Sequence, residues 1–267
     1  MNHSGIHHMI VKIDSKKSIL NITSKNNPIK IPINNAGNDC NIQRMVIKSA
    51  SIPNVFYNVN TNNNYFFINT LGQGRQYITI PEGQYSIAEL IAYINGTTAF
   101  TTAGAVLTFD SLKNKLISTC AQILTYEWDD NILLLNPTAN ILLGLINDQD
   151  FVVPAGIATI HPHMSDLSGI RNIYIETSFS KMNSLSDQGH SDIGAIIPID
   201  QPFGGIIQYL NNESSLDSVT RSTIYSQNMT DPQFTLRDVD GNVLNLNGLH
   251  YEIHWKMYMT HREHNEM

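Results

Sequence analysis

The stretch RMVIKSASIPNVFYNVNTNNNYFFI, residues 44–68, decides the fold class. It opens as a strand: Met45, Ile47 and Ser49 alternate with Val46, Lys48 and Ala50, and side chains two apart share one face of a pleated chain. Pro53 has no N–H to give to a ladder and pushes Ile52 into an extended or turn conformation. Asn54 is a turn former, and Val55, Phe56, Tyr57 and Val59 follow as a bulky apolar plug. The Asn-rich run 60–64 is a turn leading into Tyr65-Phe66-Phe67-Ile68, which reads as a returning strand. Nothing in the stretch has the look of a catalyst. It is structure, and the expectation built on it is an all-β protein whose function is architectural.

The composition agrees. The 267 residues suffice for one large β domain or two smaller ones, and 42% hydrophobic residues support a substantial core. Charged residues make up 15%, well below the roughly 25% of ordinary soluble domains. Asn, Ser and Thr replace them, and these residues favour turns and strands over helix interiors. A surface poor in charge suits a protein packed against partners. The net charge of −7 argues against a dedicated nucleic-acid binder, which needs a basic face for phosphates. Cys40 and Cys120 lie far apart without CxxC spacing and read as free thiols of a reducing compartment, a single disulfide being the alternative. The stretch MNHSGIHHMIVKID has neither a basic region nor a long apolar run, so no secretory signal is expected. No window reaches the ~18 apolar residues of a membrane span.

Residues 1–17 read as an N-terminal arm or edge strand. Ile19–Ile22 and Ile29–Ile31 are short strands broken at Lys25-Asn26-Asn27-Pro28. Leu71-Gly72-Gln73-Gly74-Arg75 lacks the third glycine and the following helix of a dinucleotide loop, and is a hairpin loop. One good helix follows: Ser86 and Glu89 form a capping box, Ile87, Leu90, Ile91 and Ile94 share a face, and Gly96 supplies the stop. Residues 105–110 and 115–119 form a hairpin, 124–135 is strand-like, and 137–144 makes a short helical turn ended by Gly144. Residues 150–169 turn towards Pro, Gly, Ser and His and are a weak internal boundary. Beyond them come strands at 171–177, 193–199, 203–210, 222–227, 233–237 and 243–246. Asn247-Gly248 is a hairpin signal before a closing strand, Tyr251 to Met259. Residues 260–267 are a polar tail. The organisation expected is therefore an arm, one sandwich over 18–259, and a flexible tail.

Candidate chemistry is thin. His161, His163 and Asp166 have the residue types of a metal site, but Pro162 holds the backbone extended and points the two imidazoles apart. The His3, His7 and His8 group reads as solvated. Asp238-Val239-Asp240-Gly241-Asn242 has its glycine at the wrong position for a calcium loop and reads as a β-turn with Asx bonding. No serine elbow, zinc helix or phosphate loop appears, and nothing pairs Glu127, Asp129 or Asp130 as a glycosidase requires. No catalytic residue, cofactor or metal is expected.

The features that remain are short motifs in a set order. They are Ile52-Pro53-Asn54-Val55-Phe56-Tyr57-Asn58, Pro81-Glu82-Gly83-Gln84-Tyr85 before the helix, Leu143-Gly144, and Asn172-Ile173-Tyr174-Ile175. Ile196-Ile197-Pro198-Ile199, Pro202-Phe203-Gly204 and the ending from Phe234 to Gly248 complete them. That order, over residues 40–259, resembles the minor capsid (penton) protein family of virophages and polinton-like viruses, in the double-jelly-roll lineage. The resemblance implies a jelly-roll β-sandwich, a homopentamer at icosahedral vertices, and contact with a double-jelly-roll major capsid protein in the virion. It marks Ile52, Pro53, Asn54, Phe56, Tyr57, Pro202, Phe203 and Gly204 as structural or interface candidates. The arm would then reach a neighbouring subunit or the capsid interior. Two alternatives stand beside it. One is a receptor- or glycan-binding head of a viral fibre, favoured by loop aromatics such as Tyr209 and Tyr225. The other is a jelly-roll carbohydrate enzyme, disfavoured by the missing carboxylate pair.

Overall fold

A computed structural model describes residues 7–14, 17–30, 40–128, 138–146, 149–177, 180–181, 193–211, 222–224 and 233–261. The chain begins with β1 (His7–Asp14), β2 (Lys17–Ser24), β3 (Ile29–Lys30) and β4 (Cys40–Pro53). Next come β5 (Tyr65–Thr70), β6 (Gly74–Thr79), α1 (Ile87–Gly96), α2 (Thr98–Ala103), β7 (Ala105–Asp110) and β8 (Lys115–Cys120). They are followed by β9 (Leu124–Glu127), α3 (Asn140–Leu143), β10 (Phe151–Val153) and β11 (Thr159–Ile160). The last part holds β12 (Asn172–Thr177), β13 (Ser180–Lys181), β14 (Ile193–Pro198), β15 (Ile206–Leu210), β16 (Ser222–Ile224), β17 (Gln233–Arg237) and β18 (Tyr251–His261).

These elements form two compact units. Unit 1 is Met1–Phe56 with Ile170–Met267, and unit 2 is Tyr57–Gly169. One sandwich over 18–259 with a break near 150–169 is the sequence expectation. The division instead has two crossing points, the second at the end of that stretch and the first at Phe56/Tyr57. No shift in composition marks the first crossing, because the chain passes through buried Val55 and Phe56 on one side and buried Asn58 and Val59 on the other. A run that is core on both sides of a boundary looks continuous in sequence.

Unit 1 is a jelly roll by its own strand order. One sheet contains β2-β18-β4-β15 and the other β3-β17-β12-β14. The paired strands are therefore the first with the last (β2 with β18), the second with the next to last (β3 with β17), then β4 with β15 and β12 with β14. That is one long hairpin rolled across two sheets, the defining connectivity of the fold. The two inner faces meet in a shared core. Ile47, Ile52, Ile207, Ile253 and Trp255 come from one sheet, and Ile173, Ile175, Ile197, Phe234 and Leu236 from the other. Gly194 in β14 leaves room for the indole ring. A Cβ there would lie 3.0 Å from Thr177 Cγ2 and 3.1 Å from the Trp255 ring.

β1 pairs with the outer side of β2, and β13 and β16 extend the same sheet beyond β4. The N-terminal stretch thus contributes an edge strand to its own sheet. At the other end β18 continues through Thr260 and His261, opposite Asn41 and Cys40, so the polar tail starts later than its composition suggests. The hairpin signal at Asn247-Gly248 is a real turn, with Asn247 at φ 50°, but β18 does not return along 243–246. Val243 bridges to Arg237 instead, and β18 runs between β2 and β4. The Asp238 turn has the expected Asx bonding: Asn242 donates its backbone N–H (2.8 Å) and its side-chain amide (2.9 Å) to the Asp238 carboxylate.

Unit 2 has a separate core, formed by the β10-β9-β5-β6 and β11-β8-β7 sheets. Phe66, Ile68 and Tyr126 pack there with Leu107 and Leu116, beside Leu90 and Ile94 of α1 and Phe100 of α2. The returning strand of the opening stretch, β5, pairs with β6 and β9 and not with β4. The capping box is present: Ser86 Oγ accepts from Glu89 N, and Ser86 N donates to the Glu89 carboxylate at 2.8 Å. Gly96 lies inside α1; the helix stops at extended Thr97, which then caps α2. The sequence reading misses α2, whose TAFTTA is rich in β-branched Thr. Gly144 ends α3 at φ 65°, where a Cβ would run into the His163 carbonyl. Strands 151–153 and 159–160 lie in the stretch read as a boundary. Of 124–135, only Leu124–Glu127 is seen as strand, and 129–137 lies outside the described residues. Among the described residues, no helix is long and apolar enough to cross a membrane.

Candidate functional site

The two groups of interface candidates, far apart in sequence, meet in unit 1. β15 lies antiparallel to β4 with Ile206 opposite Pro53 and Ile207 opposite Ile52. Pro53 ends that ladder as its missing N–H requires. The next residue, Asn54, is then clasped by the 201–205 turn. Its N–H donates to Gly205 O (2.8 Å), its carbonyl accepts from Gly204 N (2.7 Å), and its side-chain amide donates to Gln201 O (2.7 Å). Gly204 sits at φ 85°, a conformation few side chains adopt. Asn247 extends the clasp by donating its amide to Val55 O at 2.8 Å. A buried polar residue held by its N–H, its carbonyl and its side-chain amide fixes the chain direction at this point.

The candidates divide by role. Ile52 and Phe56 are buried in the unit 1 core, so they are structural and present no surface. Tyr57 is half-buried and begins unit 2. Pro202, Phe203 and Gly204 are exposed on the turn. The sequence reading overlooks Ile206 and Leu210, which are 56% and 75% exposed on the outward side of β15 while Ile207 between them is buried. With Phe203 they make an apolar row beside the Asn54 clasp, interrupted between Ile206 and Leu210 by exposed Gln208. The alternation Ile206-Ile207-Gln208-Tyr209-Leu210 carries that signal, but a strand apolar on both faces conceals which side is out.

Asn58 does in unit 2 what Asn54 does in unit 1. Its side-chain amide donates to Tyr85 O (2.8 Å) and Leu167 O (3.1 Å), and its Oδ1 accepts from Tyr85 N (2.9 Å). The motif Ile52 to Asn58 is therefore a crossing with one asparagine anchor in each unit.

The other candidates find bland roles. His161 is fully buried and both ring nitrogens are engaged, Nε2 with Ser118 Oγ (2.7 Å) and Nδ1 with Leu143 O (2.5 Å). It cannot ligate a metal with His163, which is exposed. Among the described residues no three His, Cys, Asp or Glu side chains gather. Cys120 is a buried free thiol. Glu127 pairs with Arg75 at 2.9 Å and accepts from Asn69 at 2.6 Å, while Asp129 and Asp130 lie outside the described residues. Tyr209 packs against the unit 1 core, and Tyr225 lies outside the described residues. An open groove of about 470 Å³ in unit 2 is lined by Tyr85, Phe109, Asn114 and 165–168. Two of its hydroxyls serve local bonds: Ser165 donates to Leu142 O and Ser168 to Asp166.

No family model matches the chain, and no curated protein matches it. Among the solved structures similar to it are the following two. The mavirus penton protein, in crystal form, shares 14% identity at a TM-score of 0.47, over 92% of this chain and 100% of that one. A chain of the Sputnik virophage, solved by cryo-EM, shares 11% at a TM-score of 0.34, over 95% of this chain and 97% of that one.

Proposed function

We propose that the chain is a structural protein of a virion, a penton-type minor capsid protein. In this reading it closes into pentamers at icosahedral vertices and meets a double-jelly-roll major capsid protein around them. The observation that carries the reading is the rolled strand order of unit 1, a fold typical of viral capsid and lectin domains. The order of short motifs along 40–259 supports the penton assignment within that class. No reaction, cofactor or metal is assigned to the chain.

A ring of five needs a heterologous interface, one patch meeting a different patch on the next subunit, and the contacts must close. The apolar row Phe203, Ile206 and Leu210 is one such patch. It lies on an element that β4 and the Asn54 clasp hold rigid, so it would meet its partner without prior ordering. The test is the mass of the purified protein over a concentration series. A five-fold multiple of 29.9 kDa is expected. A stable trimer would replace this reading with the fibre-head alternative.

A further inference from the structure

His161 stands just after β11, against β8, β9, β10 and α3. Its ring meets Tyr126 edge-on at 5.5 Å and Phe151 at 5.0 Å between centroids. The protons around it can be placed by elimination. Leu143 O can only accept, so Nδ1 carries the hydrogen. Nε2 is then a lone pair, and Ser118 Oγ–H must donate to it. Ser118 Oγ in turn accepts from the Tyr126 hydroxyl at 2.7 Å. One line of hydrogen bonds runs from β9 through β8 and His161 to α3, with a single consistent direction.

A second ring proton has no place in this line. Nε2–H would face Ser118 O–H, donor against donor, until the hydroxyl swings off the ring and gives up the one bond it donates. Turning the serine towards Tyr126 would set its proton against the one that Tyr126 gives to Ser118. Nor is a carboxylate at hand to balance the charge. The titratable groups on the packed elements are Lys115 and Cys120 of β8, Tyr126 and Glu127 of β9, and Asp150 beside β10, with His163 and Asp166 on the following segment. α3 has none. Glu127 is held by Arg75, Asp150 accepts from Trp128 N, Asp166 accepts from Ser168, and Lys115 donates to Pro162 O. The same ring anchors more than itself. Residues 161–166 run beside α3, with His163 N donating to Gly144 O (2.9 Å) and Asp166 N to Ile141 O (3.1 Å), while His161 N donates to Leu116 O (2.9 Å).

We propose that His161 is an acid-operated latch inside unit 2: a second ring proton breaks the line from Tyr126 to Leu143 and frees α3 with segment 161–166 from β8 and β9, while the jelly roll of unit 1 keeps its fold. Burial pushes the imidazole down from 6.5 to about 4, against a smaller upward pull from the Leu143 bond. Because the closed-state value is depressed, the latch holds fully above about 6.5, weakens as pH falls from 6.5 towards 4, and loses no more below that. A ring that titrates normally once released raises the opening constant about 30-fold at pH 5 and about 300-fold at the acid limit.

The test is hydrogen exchange of the full chain between pH 7.5 and 5, corrected for intrinsic rates and read by mass spectrometry. Segments 116–118, 141–145 and 161–166 should open about 30-fold more at pH 5, while 173–175 and 253–255 change by less than about threefold. His161→Gln offers an amide donor to Leu143 O and an acceptor to Ser118 but does not titrate, so its acid response should vanish whatever its absolute stability. An unchanged acid response in that variant overturns the latch, as does equal opening of unit 1. If the variant does not fold, proton NMR of the native ring decides. A midpoint below 6.5, with opening that follows the ring's protonation, is expected, and normal titration without opening refutes it.

Discussion

Replacing Asn58 with Ala should destabilise unit 2 far more than a single polar truncation usually does. The side chain satisfies three backbone groups: Tyr85 N, Tyr85 O and Leu167 O. They belong to the α1 lead-in and to the end of unit 2, so one residue ties both to the crossing. At about 1 kcal/mol for each partly exposed bond, the loss is about 3 kcal/mol. That corresponds to a roughly 100-fold rise in the opening constant of the unit. Hydrogen exchange of the full chain reads it at 66–68, 90–94 and 116–118, with 173–175 and 253–255 as the reference in unit 1. Asn58→Asp sharpens the test, because it keeps the acceptor for Tyr85 N but sets a carboxylate oxygen against two carbonyls. It should cost at least as much as Asn58→Ala. If Asn58→Ala speeds exchange in unit 2 by less than about threefold, or speeds both units alike, the view of Asn58 as the unit 2 anchor is wrong.

Other expectations follow from the same geometry. Gly144→Ala forces a side chain into φ 65° and onto the His163 carbonyl, a cost of about 2–4 kcal/mol that should lower the melting of unit 2 by roughly 10 °C or more; a change of a degree or two would contradict it. Deleting residues 1–16 removes β1, which lies outside the eight rolled strands, so circular dichroism and the melting profile should survive while incorporation into particles falls. Ile206→Asp changes an exposed position, so stability should move by no more than about 0.5 kcal/mol while the proposed pentamer is lost in sizing runs; an intact pentamer would remove the apolar row from the interface.

Much of the fold is legible in the residues and the rest is hidden for definite reasons. The class, the α1 capping box, the hairpin over 105–120 and the Asx turn at Asp238 are local, each fixed by neighbours a few places away. The rolled pairing is not local: β2 finds β18 across the whole chain, and no short pattern encodes that choice. The division into two units escapes notice because residues 52–59 are apolar or Asn throughout, and only the partners of Asn54 and Asn58 reveal that they serve different cores. Ile52–Asn54 and Pro202–Gly204 stand out separately in the sequence, yet their meeting depends on the β4–β15 register. His161 is the instructive miss. Its neighbour Pro162 suggests what the imidazole cannot do, but its partners Ser118, Tyr126 and Leu143 come from three elements that sequence does not bring together.

The most direct test of the account is electron microscopy of the purified oligomer, with two-dimensional averages computed without imposed symmetry. The account predicts closed five-membered rings of equal subunits, lost in Ile206→Asp. Three-fold particles, or open chains of subunits that never close, would contradict it.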